Sequence, residues 1–221
     1  MAAEKTGFWL KYLARITLTA IIMMFLFTSG QASPQLGDIM TFGGYDWLVF
    51  YVQDNRSLIV SEKIIEEKAY HNSGGDISWE ECSLRKYLNG EFYDKFSAAE
   101  RAMIAETTII NDNNQWYGTS GSAATNDKIF LLSIEEVVRY CGDSEQLKDR
   151  PKLKPSYISD QYNSERIAEN ATGKASWWWL RSPGNRNDRA AIVDQVGYIY
   201  IDGSSVNNVY GGVRPALWLN F

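Results

Sequence analysis

Runs of apolar and β-branched residues over Gly37–Phe42, Tyr45–Gln53 and Ser57–Ser61 predict three early strands, with Asp54-Asn55-Arg56 supplying a hairpin turn between the last two. Three Ser residues followed by Glu three positions on, Ser78/Glu81, Ser97/Glu100 and Ser133/Glu136, have the spacing of capping boxes. They predict helices over Trp79–Phe92, Ala98–Ala105 and Ile134–Cys141, the last stopped by Gly142. In the first of these, Leu84, Tyr87, Leu88 and Phe92 form one apolar stripe suited to packing on a sheet. Asn111–Asp127 has loop composition, Ile129–Leu132 reads as a short strand, and Asp160–Ala171 as one more helix. Asp143–Ser156, with Pro151 and Pro155, reads as a surface connection. From Ser176 onward strands dominate, and the period-two pattern Tyr198-Ile199-Tyr200-Ile201 turns the Ile residues inward and the Tyr residues outward. The order predicts an α+β domain whose terminal strands, Tyr45–Gln53 and Gly212–Leu219, pair to close it.

The N-terminus changes this picture. Lys5, Lys11 and Arg15 precede the apolar run Ile16–Phe27, and Gly30-Gln31-Ala32 offers a small-x-small cleavage site, so residues 1–32 read as a signal peptide. The alternative is an uncleaved membrane anchor, because Ile16–Leu36 carries no charge. Either way residues 33–221 are expected to be extracytoplasmic, as a secreted or cell-surface domain. The full chain has a net charge of −5, and removal of residues 1–32 makes it −7. With no basic cluster after the leader, nucleic acid is excluded as a partner and the membrane is expected to be met only through the N-terminal segment.

The candidate chemistry is thin. His71 is the single histidine and reads as a solvated loop residue, without partners for a triad or a metal site. Cys82 and Cys141, at helical spacing among apolar residues, read as buried thiols rather than a disulfide or a nucleophile. Asp112-Asn113-Asn114 fits an Asx-turn network better than a calcium loop. Glu66-Glu67 and Glu80-Glu81 read as a solvated face and a helix start. Trp178 is expected in the core, with Trp177 and Trp179 on the other face of a strand. No cofactor, metal or catalytic site is expected.

The last 45 residues are the most informative. Trp177-Trp178-Trp179-Leu180-Arg181-Ser182-Pro183-Gly184 and Gly211-Gly212-Val213-Arg214-Pro215-Ala216-Leu217-Trp218-Leu219 bracket a segment of different character. Between Asn185 and Tyr210 a small-apolar frame is interleaved with Asn, Asp, Tyr, Arg and Ser, the composition of a binding surface. The expected ligand face is Arg186, Asn187, Asp188, Arg189, Asp194, Tyr198, Tyr200, Asp202, Asn207, Asn208 and Tyr210. Trp178, Arg181, Pro183, Arg214, Pro215 and Trp218 are expected to hold the frame, the two Arg residues as hydrogen-bonded staples.

Phe42–Val49, Trp79–Gly90, Asp127–Ser133, Trp178–Gly184 and Gly211–Leu219 together resemble a bacterial family of uncharacterised function. The tail is similar to C-type-lectin-like domains related to formylglycine-generating enzymes, including the variable proteins diversified by retroelements. The resemblance implies a C-type-lectin-like single domain over 33–221, with two to four short helices and a loop-rich C-terminal half. It implies a non-catalytic recognition domain for a protein or carbohydrate on another cell or phage surface, with 185–210 as the variable segment. Adenine-directed mutagenesis of Asn codons never yields Lys, Glu, Trp, Met or Gln, and the segment obeys this except at Gln195. Active-site cysteines of the formylglycine-generating relatives and calcium-lectin motifs have no match here. Two other readings stay open: an envelope-associated structural or accessory module, and an envelope-modifying enzyme.

Overall fold

A computed structural model describes residues 33–147 and 156–221 of the chain, and Pro34–Phe221 forms one compact unit. The signal-peptide reading and most of the Asp143–Ser156 connection lie outside the described residues. The fold is α+β, rich in sheet, with four short α-helices among the described residues: Ser83–Tyr87, Ala98–Met103, Ile134–Cys141 and Asn163–Arg166.

Two sheets carry the architecture. The first has the spatial order Ile39–Phe42, Tyr45–Gln53, Arg56–Ser61, Ala216–Asn220 and Ile104–Ala105. Its first turn is the pair Gly43-Gly44, both at positive φ (61° and 79°), as a two-residue hairpin with this twist requires. A Cβ on Gly43 would also come within 2.1 Å of the Phe96 ring. The predicted Asp54-Asn55 hairpin is present, with Asp54 at φ 51°. The terminal strand does close the domain, but its partner is Arg56–Ser61, and Tyr45–Gln53 lies one strand further out.

The second sheet has the order Glu66–Glu67, Gly212–Val213, Trp178–Pro183, Arg189–Val193, Ile199–Ser205 and Tyr157–Ile158. The chain crosses from this sheet to the first at Arg214-Pro215, and Arg214 fixes the crossing. Its guanidinium is buried, donates from Nε to the Ser61 carbonyl at 3.0 Å and lies 4.9 Å from the Trp178 ring centre. Burial pulls its pKa down to about 10, which still leaves it charged at neutral pH.

Tryptophans fill the core and staple it. Trp47, Trp79, Trp178 and Trp179 are buried, and each indole N–H has an acceptor: the Phe42 carbonyl, the Asp127 carboxylate, the Arg166 carbonyl and the Lys68 carbonyl. Trp177 and Trp179 do share a face, edge to face at 4.9 Å. That face is covered as well, since Trp179 packs 5.7 Å from Tyr70 and has no exposed surface. Cys82 and Cys141 are free and buried, and burial pushes their thiols up to about 12 and about 11.

Several local expectations are corrected. The boxes at Ser97 and Ser133 form, but Ser78 caps nothing. The Glu81 and Cys82 amides donate to the Ser78 carbonyl at 3.3 and 3.1 Å as a separate turn, so the helix starts only at Ser83, behind Cys82. It then widens into a π-turn over Leu88–Phe92, while Leu84, Leu88 and Phe92 are buried as the stripe requires. His71 is half-buried, and its Nδ1 accepts the Ser83 amide, the first of that helix, at 3.2 Å. Ile129–Leu132 is buried but makes one isolated bridge instead of a ladder, because Asn89 and Arg181 take its carbonyls. The helix expected over Asp160–Ala171 is a single turn, Asn163–Arg166. The chain then straightens so that Ala168–Glu169 pairs with Ala175–Ser176 and the Arg166 carbonyl meets Trp178.

Arg166 and Asp160 form a buried ion pair at 2.9 Å. Burial opposes ionisation of Asp160, but the Arg166 guanidinium, the Ser144 hydroxyl and the Tyr162 amide outweigh it and hold the carboxyl below its ordinary range. A depressed carboxylate pKa contributes stability above the unfolded value that is lost as pH falls through the folded one. Asp160→Asn, which leaves Arg166 uncompensated, is expected to destabilise by about 3 kcal/mol in urea unfolding at pH 7. The gap between wild type and variant should stay full above about pH 4 and close below it.

Candidate ligand-binding face

Three loops from distant parts of the sequence meet at one end of the second sheet. The Pro183–Arg189 turn is closed by Gly184 N donating to the Arg189 carbonyl at 2.7 Å and Asn185 N to the Asp202 carbonyl at 3.0 Å. The 71–78 loop docks on it: Ile77 N donates to the Asn187 carbonyl at 3.0 Å, and His71 N to the Val206 carbonyl at 2.8 Å. Val206 N in turn donates to the Asp188 carbonyl at 3.0 Å. Backbone groups that would otherwise need water are thereby paired between loops, so the loops stiffen each other.

The third loop, Asn111–Ser122, is anchored by Asn114. This side chain is 2% exposed; its amide nitrogen donates to the Pro183 and Ile201 carbonyls at 2.9 and 2.8 Å. Its oxygen accepts from the Trp116 and Tyr117 amides at 3.0 and 3.2 Å. Asn113 accepts from Gly121 at 2.9 Å, where a Cβ would lie 2.1 Å from the Asn111 carbonyl oxygen. The expected Asx-turn network is therefore present, and it reaches across the fold. Among the described residues no group of three or more His, Cys, Asp or Glu is placed to hold a metal.

Between these loops lies a narrow cleft. Ile77, Ser78, Asp112, Ser120, Ser122 and Arg189 line its sides, and Arg181, Ser182 and Pro183 also contribute. Its enclosed volume is about 10 Å³, room for about one water molecule. It adjoins a broad open groove of about 540 Å³ that shares Ile110, Asn111, Asp112 and Ser122 with it and extends to Gln115 and Ala124. Arg186 and Asp188 stand nearby as a bidentate pair, both contacts 2.9 Å, with Arg186 mostly exposed. That pairing holds the Asp188 carboxyl below its ordinary range.

The structure divides the expected ligand residues. Arg186, Asn187, Asp188, Arg189 and Asp202 gather at this loop end, with Asn207 and Asn208 on the neighbouring turn. Tyr210 is exposed, just before Gly211. Arg189 also has a frame role, donating to the Gly203 carbonyl at 2.7 Å. Tyr198 and Tyr200 are elsewhere: Tyr200 pairs with Ile192, whereas Arg189 pairs with Ser205, so they sit toward opposite ends of the strand pair. Both are half-buried against Tyr157, which stacks on Tyr198 at 5.0 Å and 17° and lies 5.3 Å from Tyr200. Asp194 is buried and holds its own turn, accepting from the Val196 and Tyr198 amides at 2.9 Å each. Ile77, Ser78, Asp112, Ser120 and Ser122 were not among the expected site residues. The length and Asn/Gly/Ser content of the 111–127 segment were the signal for the last three, since long ordered loops in a small domain are commonly functional.

The chain belongs to the family described as Domain of unknown function (DUF6273), whose model matches residues 54–221. No curated protein and no solved structure matches it.

Asn114→Ala removes four hydrogen bonds and leaves two buried carbonyls without donors. A loss of about 2–4 kcal/mol in chemical unfolding is expected, together with loss of protection in the 111–122 loop.

Proposed function

We propose that this DUF6273 member is an exported, non-catalytic recognition domain of C-type-lectin-like fold, which binds a protein or glycan on another cell or phage surface. The observation that carries this reading is the convergence of the 71–78, 111–122 and 183–189 loops on a shared, backbone-bonded face at one end of a rigid sheet. Binding residues on loops set by a rigid scaffold are a recurrent arrangement for recognition. The cleft is too small to engulf a metabolite, so it suits the tip of a side chain or a sugar hydroxyl presented by a larger surface, with the open groove taking the rest. Serine hydroxyls, Asp112, Arg186 and Arg189 supply adaptable polar contacts there.

The buried thiols argue against a cysteine nucleophile, because a thiol held near 11 or 12 is not a thiolate at neutral pH. Export rests on the basic-then-apolar pattern of residues 1–27. If a retroelement rewrites this segment, exposed positions such as Arg186, Asn207 and Tyr210 are the ones free to vary, while Ile199 and Ile201, fully buried or nearly so, belong to the frame.

The test is a screen of residues 33–221 on a glycan array and against displayed surface proteins, followed by Arg186→Ala and Ser120→Tyr. Both are expected to weaken the selected interaction by about tenfold or more, with the melting temperature within about 2 °C of wild type. Full retention of binding in both variants, with loss in Tyr198→Ala/Tyr200→Ala, would move the ligand to the tyrosine end of the sheet.

A further inference from the structure

A second surface stands apart from the loop face in character. Beside the C-terminal end of helix Ile134–Cys141, Leu36, Phe50, Tyr51, Tyr140 and Trp218 line an open groove of about 440 Å³, with Gln53 and Arg139 at its polar edge. A smaller groove of about 180 Å³ shares Leu36, Phe50 and Tyr140 with it and continues along Leu48 and Val49. Two of the lining apolar side chains are well exposed, Leu36 at 71% and Tyr51 at 44%. Ile39, 58% exposed, pairs across the sheet with Leu48. The rings form one assembly, Tyr51 lying 5.8 Å from Tyr140 and perpendicular to Trp218 at 6.1 Å. Arg56 lies over Trp218 at 4.5 Å.

We propose that this face rests on a lipid bilayer surface, at the level of the headgroups. Trp and Tyr rings with polar tips, beside exposed aliphatic side chains and Arg residues with long apolar stems, are what the bilayer interface selects. The chain's own geometry points the same way. Eight residues lie between Phe27, the end of the apolar run, and Leu36 in the groove, and none carries a charge. That stretch spans at most about 30 Å, so a bilayer holding the run is within reach of the face. Only this tether argument rests on residues 1–32 being the uncleaved membrane anchor. Charge attraction contributes little, because Asp54 and Glu165 offset Arg56 and Arg139 and the domain is acidic overall. The preference is therefore for neutral phosphatidylcholine surfaces over anionic ones, with weak dependence on salt.

The experiment is co-sedimentation of residues 33–221, which include the whole compact unit, with phosphatidylcholine vesicles, against the variant Leu36→Asp/Tyr51→Asp. The parent is expected to bind in a lipid-dependent, salt-insensitive manner, and the variant to partition about tenfold less with an unchanged unfolding midpoint. Arg186→Ala, which addresses the ligand face, is expected to leave partitioning unchanged. In the full chain reconstituted in nanodiscs, hydrogen exchange over 49–56 and 216–221 should be slower than in the lipid-free fragment. Absence of vesicle binding by the parent, equal partitioning of the variant, or a dimer in sedimentation velocity that the two substitutions dissolve would each overturn the proposal.

Discussion

The guanidinium of Arg181 joins three parts of the molecule at one point. It is buried, forms a bidentate pair with Glu136 on helix Ile134–Cys141, and donates to the Leu131 carbonyl at 2.8 Å and the Ile110 carbonyl at 3.1 Å. Its own carbonyl accepts the Tyr70 hydroxyl, and its amide donates to Leu132. Glu136 matches this charge at depth, so separating the pair would leave a buried cation uncompensated, and the strand, the helix and the start of the long loop are held together. The next residue repeats the theme, with the Ser182 hydroxyl accepting the Ile134 amide at 3.0 Å.

From that junction the loop face follows. Arg181 holds the 110 end of the loop, Asn114 ties its first turn to Pro183 and Ile201, and Pro183 opens the turn that receives the 71–78 segment. On the proposed function, binding at such a surface would need little reordering, which is the cost that usually limits loop-borne sites. The anchors at Trp177–Gly184 and Gly211–Leu219 accordingly serve as frame. Gly211 illustrates how tightly: a Cβ there would lie 1.8 Å from the Trp179 indole nitrogen.

What the sequence showed and hid has a physical pattern. The early hairpin, the Ser97 and Ser133 helix starts and the buried Ile199/Ile201 face were legible because period, turn residue and cap are local signals. The Ser78 box was misleading because the Glu81 amide it needs donates to the Ser78 carbonyl instead of the hydroxyl. The Ile129–Leu132 strand failed because its carbonyls go to the side chains of Asn89 and Arg181, partners 40 and 50 residues away. For the site, the 185–189 turn and the 202–208 segment were recognisable by composition. Placing Tyr198 and Tyr200 on that same face was not justified, since register along a hairpin decides which end a residue occupies. The contributions of Ile77, Ser78, Ser120 and Ser122 depend on contacts between loops far apart in sequence, which no local pattern encodes.

The central claim is that the loop face is built and held before any ligand arrives. Native-state hydrogen exchange of the free domain measures this directly at the Ile77, Asn185 and Val206 amides, each of which donates to a separate segment of the face. They are expected to exchange within about tenfold of the amides of the Arg56–Ser61 strand. Exchange of these amides at the rate of unprotected loop backbone, with the strand fully protected, would contradict it.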